Sequence, residues 1–299
     1  MAVFAALDHL LTVDIGGRNT RQLYAAARDD EPLVETAAAP LCAAAAAGES
    51  VVLTTGFPIP PSNQPETDGP PGTVVLAGAL AELGAEPVVA TEPGVEAVIT
   101  AVADALGIEP PETVSLAPSA STVPAPLLDS YDPAAVVAVE KPGPTADGSY
   151  RTAAGEAITS LVADSGGLFE AARERGIPTV AVGDGGNEVG MGGIRGAVEA
   201  HIDHGETIAC VTPADALVVA AVSNWGAYGI VAALSLGSGR QLLHDGDTEQ
   251  DLLDAAVESG CVDGVTGAAT ASVDGISPQI HAAVVDLLSD ICAAEIGDA

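Results

Sequence analysis

Residues 135–143 read Ala-Val-Val-Ala-Val-Glu-Lys-Pro-Gly, an unbroken apolar run that ends in a glutamate, a lysine and a turn. Consecutive apolar residues over the length of a strand indicate burial on both faces, which is typical of a parallel sheet. Lys141 is the only lysine among 299 residues. We interpret it as a cation needed where this strand ends; the alternative is a chance solvated residue.

Similar apolar runs recur along the chain and alternate with Ala-rich amphipathic stretches. We predict further strands at Val51–Gly56, Glu86–Thr91, Thr179–Gly183 and Leu217–Val222. We predict helices at Gly72–Leu83, Val95–Leu106, Gly155–Ala163, Leu168–Arg175, Gly226–Leu236, Thr248–Ser259 and Pro278–Ala294. Such alternation builds right-handed βαβ units. The sequence therefore predicts a single α/β domain over residues 1–299, a mostly parallel sheet with helices on both faces and Rossmann-like layering.

Two Pro-rich stretches interrupt this alternation. Phe57–Pro71 lies between a predicted strand and its helix, and a loop of that length is typical of segments that cover a site. Residues 109–134 are also rich in Pro and Ser, which predicts a small lobe or an excursion from the main domain.

The composition limits the cell compartment and the partners. Asp and Glu number 42 against nine basic residues, a net charge of −33 spread along the chain. Salt screens such self-repulsion, so we expect a salt-accumulating cytoplasm; phosphate binding needs a basic patch, so we expect no nucleic-acid partner. Four cysteines without a Cys-x-x-Cys pair indicate a reducing compartment. The sequence shows neither a membrane span nor a signal peptide, which predicts a soluble, cytoplasmic protein.

Polar and small residues follow each predicted strand. Because the carboxyl ends of parallel strands meet at one edge of a sheet, we expect these residues to share a ligand-binding cleft. Trp225, the only tryptophan, is a candidate pocket wall beside Asn224, which would orient a substrate; the alternative for Trp225 is core packing. The other strand-end residues are Thr55, Gly56, Glu92, Glu140, Lys141 and the segment Gly183–Gly192.

The segment Gly183-Asp184-Gly185-Gly186-Asn187-Glu188 carries the densest chemistry. Its glycines allow unusual backbone conformations and a close approach of the main chain to a ligand. Its acids and amide could hold Mg²⁺ or Mn²⁺ through Asp184 and Glu188, or supply a general base. The alternative is a tight turn with solvated acids. The spacing does not match a dinucleotide-binding fingerprint.

Scarce cations make each arginine a pointer to an anion site. Arg18 follows Gly16-Gly17 and is a candidate fork for a carboxylate. A solvated arginine at the start of a helix is an equally good interpretation.

Several segments together resemble the D-glutamate cyclase C-terminal domain family, in a haloarchaeal type. They are Thr54–Phe57, Glu66–Gly72, Glu140–Gly143, Asp147–Gly148, Gly183–Gly192, Ser223–Gly226 and Val262–Gly267, and they span most of the chain in the family's order. Two departures stand out. Lys141 occupies a position where the family usually has arginine, and Arg151–Gly155 lacks an arginine expected just before the glycine.

The resemblance implies cyclisation of D-glutamate to 5-oxo-D-proline with loss of water, a hydro-lyase reaction on a small-molecule carboxylate. This chemistry needs a base, an acid, a cation for the α-carboxylate and a stabilised oxyanion. Our hypothesis assigns Asp184 or Glu188 as base, Glu140 or Asp68 as acid, Lys141 and Arg18 as carboxylate partners, and the Gly185 and Gly186 amides as oxyanion donors. Thr55, Gly56, Asn187, Asn224 and Trp225 complete the predicted substrate site, and Mg²⁺ or Mn²⁺ on Asp184 and Glu188 is the metal-dependent form.

Two other classes of function remain open at this stage. One is an enzyme that acts on another small carboxylate or a phosphorylated metabolite, because family membership does not fix the substrate. The other is a non-catalytic sensor of a small ligand at the same cleft.

The charge predicts salt-dependent stability. The midpoint of thermal unfolding should rise by many degrees between about 0.1 M KCl, where the screening length is about 10 Å, and multimolar KCl. Circular dichroism checks this, with sucrose at matched osmolality as a control that does not screen charge. A midpoint independent of KCl would contradict the interpretation of the charge.

Overall fold

One parallel sheet organises the computed structural model, which describes residues 2–118 and 125–297. Its six strands among these residues are β1 (Ser50–Thr55), β4 (Glu86–Thr91), β5 (Glu112–Ser115), β6 (Ala135–Val139), β7 (Thr179–Gly183) and β8 (Ala216–Val219). They lie in the order β5-β4-β1-β6-β7-β8, all parallel. That is the 3-2-1-4-5-6 order of a doubly wound sheet, so the predicted α/β architecture is confirmed.

Helices cover both faces of the sheet. In chain order they are α1 (Ala2–Leu11), α2 (Thr20–Ala27), α3 (Leu33–Ala47), α4 (Pro70–Glu82), α5 (Val95–Leu106), α6 (Ala125–Tyr131), α7 (Ser165–Glu174), α8 (Arg195–His201), α9 (Gly205–Ile208), α10 (Ser223–Ser238), α11 (Gly246–Glu258) and α12 (Pro278–Gly297). A 3₁₀ turn at Gly192–Ile194 precedes α8. No helix among the described residues is long and apolar enough to cross a membrane.

The alternation of side chains along each strand divides the core into two layers. On β6, Val137 and Val139 pack into the larger layer with α3, α4, α5 and α10, whereas Val136 and Ala138 pack into the smaller layer with α6 and α7. Both layers consist mainly of Val, Ala and Leu side chains. The continuous apolar runs of the sequence arise because every residue of central strands such as β6 and β7 is buried in one layer or the other.

The structure corrects several predicted elements. Gly155–Ala163 is not a helix but a series of turns, in which Ile158 and Val162 pack against Phe57 and Tyr150. The Pro-rich loop contains a short hairpin, β2 (Pro58–Ile59) with β3 (Gln64–Pro65). Helices α1 to α3 were not predicted, although α2 has one apolar and one polar face.

The predicted lobe at residues 109–134 contains one strand of the main sheet and one helix. It supplies edge strand β5, which pairs with β4, and then α6. Residues 119–124 of that range lie outside the described residues.

Helix α10 packs closely on the sheet at Gly226. A Cβ at this position would lie 2.4 Å from Val182 Cγ1 on β7. We expect Gly226→Ala to lower the free energy of unfolding by about 1–3 kcal/mol through overpacking. Gly237→Ala on the same helix is the control: its Cβ would lie 3.8 Å from Cys42 Sγ, an ordinary contact, and it should stabilise by up to about 1 kcal/mol. Urea unfolding measures both; equal effects would contradict the packing argument.

Candidate functional site

The candidate site lies at the carboxyl ends of β1 and β6, where the connections leave on opposite faces of the sheet. β1 leads to α4 in the larger layer and β6 leads to α7 in the smaller one. Neighbouring strands whose connections diverge leave a crevice where ligands bind in doubly wound sheets. The crevice here is a cavity of about 440 Å³, lined by Arg18, Phe57, Ile59, Pro60, Glu66, Glu140, Thr152, Ala153, Ala154, Glu156, Asp184, Asn187, Gly264, Val265 and Asp274.

Buried acids dominate the polar wall of this cavity. Asp68, Glu140 and Asp184 each offer a carboxylate oxygen within 4.8 Å of the other two, and all three are buried. Glu140 follows β6 in a left-handed conformation, with φ 45°, and its Oε2 accepts a 2.6 Å hydrogen bond from Ser223 Oγ. Oδ2 of Asp184 is buried and has no hydrogen-bond partner among the described residues. The crevice therefore concentrates negative charge that the protein only partly compensates.

Arg18 supplies the cation at the cavity. Its Nη2 lies 2.5 Å from Asp184 Oδ1 and its Nη1 lies 2.5 Å from Asp274 Oδ2. The loop before α2 presents it, with its backbone N–H bonded to Asp14 Oδ1 at 2.8 Å. About a quarter of the side chain stays exposed. The guanidinium thus joins the N-terminal loop to the loop of Asp274 across the mouth of the cavity.

Burial raises the pKa of each acid in the cluster. It raises the pKa of Asp68 to about 8, with the nearby Asp274 adding to the effect. Burial, then Glu188, raises the pKa of Glu140 well above its ordinary value. Burial also raises the pKa of Asp184, although the adjacent Arg18 lowers it. These acids therefore favour a state in which protons or a bound cation neutralise part of their charge.

Glu188 fastens the glycine loop instead of facing the cavity. Its Oε1 accepts hydrogen bonds from the N–H groups of Asp184 at 3.0 Å and Gly185 at 2.6 Å, and its Oε2 accepts one from Gly186 at 2.6 Å. The Gly185 and Gly186 amides are thus already engaged, which does not support their predicted oxyanion role. Glu188 is likewise placed as an anchor rather than as a base or the metal partner of Asp184.

Asp68 and Asn224 cap two helices reciprocally. Asp68 accepts hydrogen bonds from the N–H groups of Ser223 at 2.8 Å and Asn224 at 2.7 Å, in the first turn of α10. Asn224 Oδ1 accepts bonds from the N–H groups of Gly69 at 3.0 Å and Gly72 at 2.8 Å, where α4 begins. Asn224 therefore joins two helix starts, which differs from the predicted orientation of a substrate.

The remaining predicted residues divide between the cavity and the interior. Asn187 lines the cavity, and its Nδ2 donates to Arg151 O at 2.9 Å. Trp225 packs in the core, where Nε1 donates to His281 Nδ1 at 2.8 Å, so the alternative of core packing describes it. Thr55 is fully buried and does not line the cavity, and Gly56 lines an adjoining pocket of about 220 Å³.

Lys141 is also interior. Its side chain is fully buried, and its ammonium contacts the carboxylate of Glu92, just past β4. Nζ also donates to Thr55 O, at the end of β1, over 3.2 Å. This placement differs from the predicted contact with a substrate carboxylate.

Sequence reasoning missed three acids that line the cavity, Glu66, Glu156 and Asp274, of which Glu156 is exposed. Glu66 belongs to a segment on which the family resemblance rests, yet its role was not assigned. Asp274 lies in a turn with φ 56°, and the pair Asp274-Gly275 was a turn signal that could have been noted. Asp263 holds this loop together through hydrogen bonds from Thr266 N, Ser272 Oγ and Gly275 N.

Fold and site define the class: a doubly wound α/β protein with a buried acidic crevice and one guanidinium at its switch point. The profile of the family described as "D-glutamate cyclase-like, C-terminal" matches residues 7–289. The human protein named "D-glutamate cyclase, mitochondrial" is 34% identical over 285 residues, covering 83% of this chain and 46% of its own length. The chain belongs to the D-glutamate cyclase-like C-terminal family, and it spans about half the length of that curated relative.

The raised pKa of Glu140 predicts how its neutral isostere behaves. Because the folded pKa lies above the unfolded value of 4.5, the stability from the protonated form is complete below that pH and is lost as pH rises towards the folded pKa. Glu140→Gln cannot ionise, so its free energy of unfolding relative to that of the unsubstituted protein should grow as pH rises from about 4.5. The growth is about 1.4 kcal/mol for each pH unit up to the folded pKa.

Urea unfolding at a series of pH values, with a chelator present, measures this difference. Asp290→Asn, on an exposed position of α12, is the control and should show no comparable rise. A constant difference between Glu140→Gln and the unsubstituted protein would contradict the assignment of Glu140 as a buried acid.

Proposed function

We propose that the chain cyclises D-glutamate to 5-oxo-D-proline and releases water, as a hydro-lyase. The observation that carries the proposal is the buried acid cluster beside one guanidinium, in a member of a D-glutamate cyclase-like family. The name of the human relative supports the same substrate. An acidic crevice with one arginine suits a small molecule that carries an ammonium and carboxylates together.

Arg18 is the proposed partner of the substrate's α-carboxylate. A guanidinium binds a carboxylate through two parallel N–H bonds. Arg18 now directs one nitrogen to Asp184 and the other to Asp274, and both nitrogens would turn to the substrate carboxylate when it enters. The α-ammonium would then face the acids of the cavity wall, which offer the opposite charge.

The reaction moves two protons from nitrogen to oxygen. The ammonium loses one proton, and the amine forms a C–N bond with the γ-carboxyl carbon. The nitrogen then loses a second proton as the C–O bond breaks, and the departing oxygen, having gained both protons, leaves as water. Carboxyl groups whose pKa values lie near or above neutrality suit both kinds of transfer.

Asp184 is the proposed base and Glu140 the proposed acid. Oδ2 of Asp184, which no described residue contacts by a hydrogen bond, has lone pairs available for a substrate proton. Glu140 uses Oε2 to accept the bond from Ser223, which leaves Oε1 to carry a proton towards the leaving oxygen. Both side chains line the cavity, so the assignment needs no rearrangement of the sheet.

The acid cluster also fits a divalent cation. Asp68, Glu140 and Asp184 are hard oxygen ligands at suitable mutual distances, which favours Mg²⁺ or Mn²⁺. Such an ion, when bound, would polarise the γ-carboxyl as a Lewis acid. In this metal-dependent form the three carboxylates would hold the ion, and removal of metal by a chelator should abolish turnover.

The cell setting completes the proposal. The net charge of −33 supports a haloarchaeal type, and four free cysteines, three of them buried, support a reducing cytoplasm.

Purified protein in multimolar KCl should form 5-oxoproline from D-glutamate and none from L-glutamate. Chromatography of the product, with chelator or with added Mn²⁺, measures both the stereochemistry and the metal requirement. Saturable binding of D-glutamate without product would instead favour a sensor. Neither binding nor product from a folded sample would favour another small carboxylate or a phosphorylated metabolite as substrate.

Asp184→Asn should lower kcat by about 10²–10⁴-fold, since a positioned base contributes that much. Asp129→Asn, in an exposed ion pair with Arg175, is the matched control and should retain full turnover. Thermal unfolding of both variants confirms folding. Full turnover in folded Asp184→Asn eliminates Asp184 as the base.

A further inference from the structure

The buried ion pair between Lys141 and Glu92 is a charge pair that the proposed reaction does not use. The Lys141 side chain is fully buried and that of Glu92 is 10% exposed. Lys141 is not among the described residues that line the acidic cavity. Moving both charges out of water is costly, so an ion pair at this position calls for a reason.

This pair joins the carboxyl ends of three strands, and the Lys141 backbone adds the loop that follows β7. Lys141 follows β6, Glu92 follows β4, and Thr55, whose carbonyl accepts the second Lys141 bond, ends β1. The Lys141 carbonyl accepts a 2.9 Å bond from Val189 N, just beyond the glycine loop of β7. The second oxygen of Glu92 accepts a 2.7 Å bond from Ala163 N. The ammonium therefore fixes the sheet edge on which the crevice is built.

Glu140 depends directly on this arrangement. It is the residue before Lys141 and has φ 45°, a left-handed conformation that side chains other than glycine disfavour. Its N–H bonds to Val182 O at 3.2 Å, and its carboxylate bonds to Ser223. An unfavourable conformation persists only where the surroundings enforce it, and the anchored Lys141 side chain holds one end of this peptide.

We propose that Lys141, through its pair with Glu92, is a positioning residue that holds Glu140 in the crevice and does not contact the substrate. The functional part rests on the proposed cyclisation. A substrate carboxylate could reach the fully buried ammonium only by displacing Glu92. The pair and the Glu140 backbone thus form one unit beneath the acid cluster.

The test compares Lys141→Met, Lys141→Arg and Glu92→Gln. If the pair positions Glu140, Lys141→Met and Glu92→Gln should both lower kcat, on the order of 100-fold for a shift of about 1 Å, with KM for D-glutamate little changed. Lys141→Arg keeps the positive charge and should retain most of the kcat of the unsubstituted protein. Arg240→Met, which removes an exposed pair with Glu82, is the control and should change neither constant.

Crystal structures of the variants give a readout that is independent of turnover. In Lys141→Met or Glu92→Gln, the Glu140 φ should leave the left-handed region and the bond from Ser223 Oγ should be lost. If Lys141→Met does not fold, Glu92→Gln carries the test, because its amide preserves shape while removing the charge. Should the unsubstituted protein form no product, the proposed cyclisation fails while this structural readout still decides the positioning role.

Two outcomes overturn the proposal. A large rise in KM with kcat retained in Lys141→Met, and no effect of Glu92→Gln, would show that Lys141 binds the substrate carboxylate. An unmoved Glu140 with unchanged turnover in both variants would show that the pair has no positioning role.

Discussion

Backbone N–H groups, rather than basic side chains, stabilise most of the buried carboxylates near the site of this protein, and the site depends on these hydrogen bonds. The chain has nine basic residues against 42 acids, and five of its arginines pair with acids nearer the surface, so few cations are left for the buried carboxylates. Asp68 and Glu188 each accept three backbone N–H bonds instead. Away from the cavity, Asp8 accepts bonds from Leu33 N and Val34 N, where α3 begins. Helix starts and tight turns supply the partial positive charge that makes such burial tolerable.

This compensation separates the acids of the crevice by function. Glu188 accepts three hydrogen bonds from backbone amides, so its carboxylate holds the glycine loop in place. Within the part of the chain that the structure describes, Asp184 keeps one buried oxygen without a partner, and the side chain of Glu140 receives only the bond from Ser223. Acids left partly uncompensated in a cleft are those whose protonation responds to a ligand, which is why they are the better candidates for chemistry.

The sequence predicts the sheet better than it predicts these roles. All five predicted strands occur, since runs such as residues 135–139 meet an apolar layer on each side. The short edge strand β5 escapes prediction because it lacks an apolar run, and the turns at 155–163 resemble a helix in composition. Helix α2 was missed although its sequence is amphipathic. The strand-end principle correctly brings Glu140 and Asp184 to one crevice.

Roles within the crevice could not be derived in the same way. Asp184 and Glu188 are four positions apart and chemically alike, and only the loop conformation, with Gly186 at φ 100°, turns the amides towards Glu188. Asp274 is far along the chain from both Asp184 and Arg18, so no local sequence pattern could show that it pairs with Arg18. Scarcity of lysine marked Lys141 correctly as unusual, but scarcity does not tell whether a cation faces a ligand or the interior.

The environments of the two cations near the site explain why they cannot share one task. Lys141 is fully desolvated and already paired, so a substrate carboxylate would gain little there and would leave Glu92 unpaired. Arg18 remains 28% exposed at the mouth, with one donor group towards each of two acids. Its planar fork can exchange those partners for a substrate carboxylate, and the substrate's ammonium would then face Asp184 and Asp274. The crevice therefore needs one cation that stays fixed to maintain its shape and another that can change partners to admit its ligand.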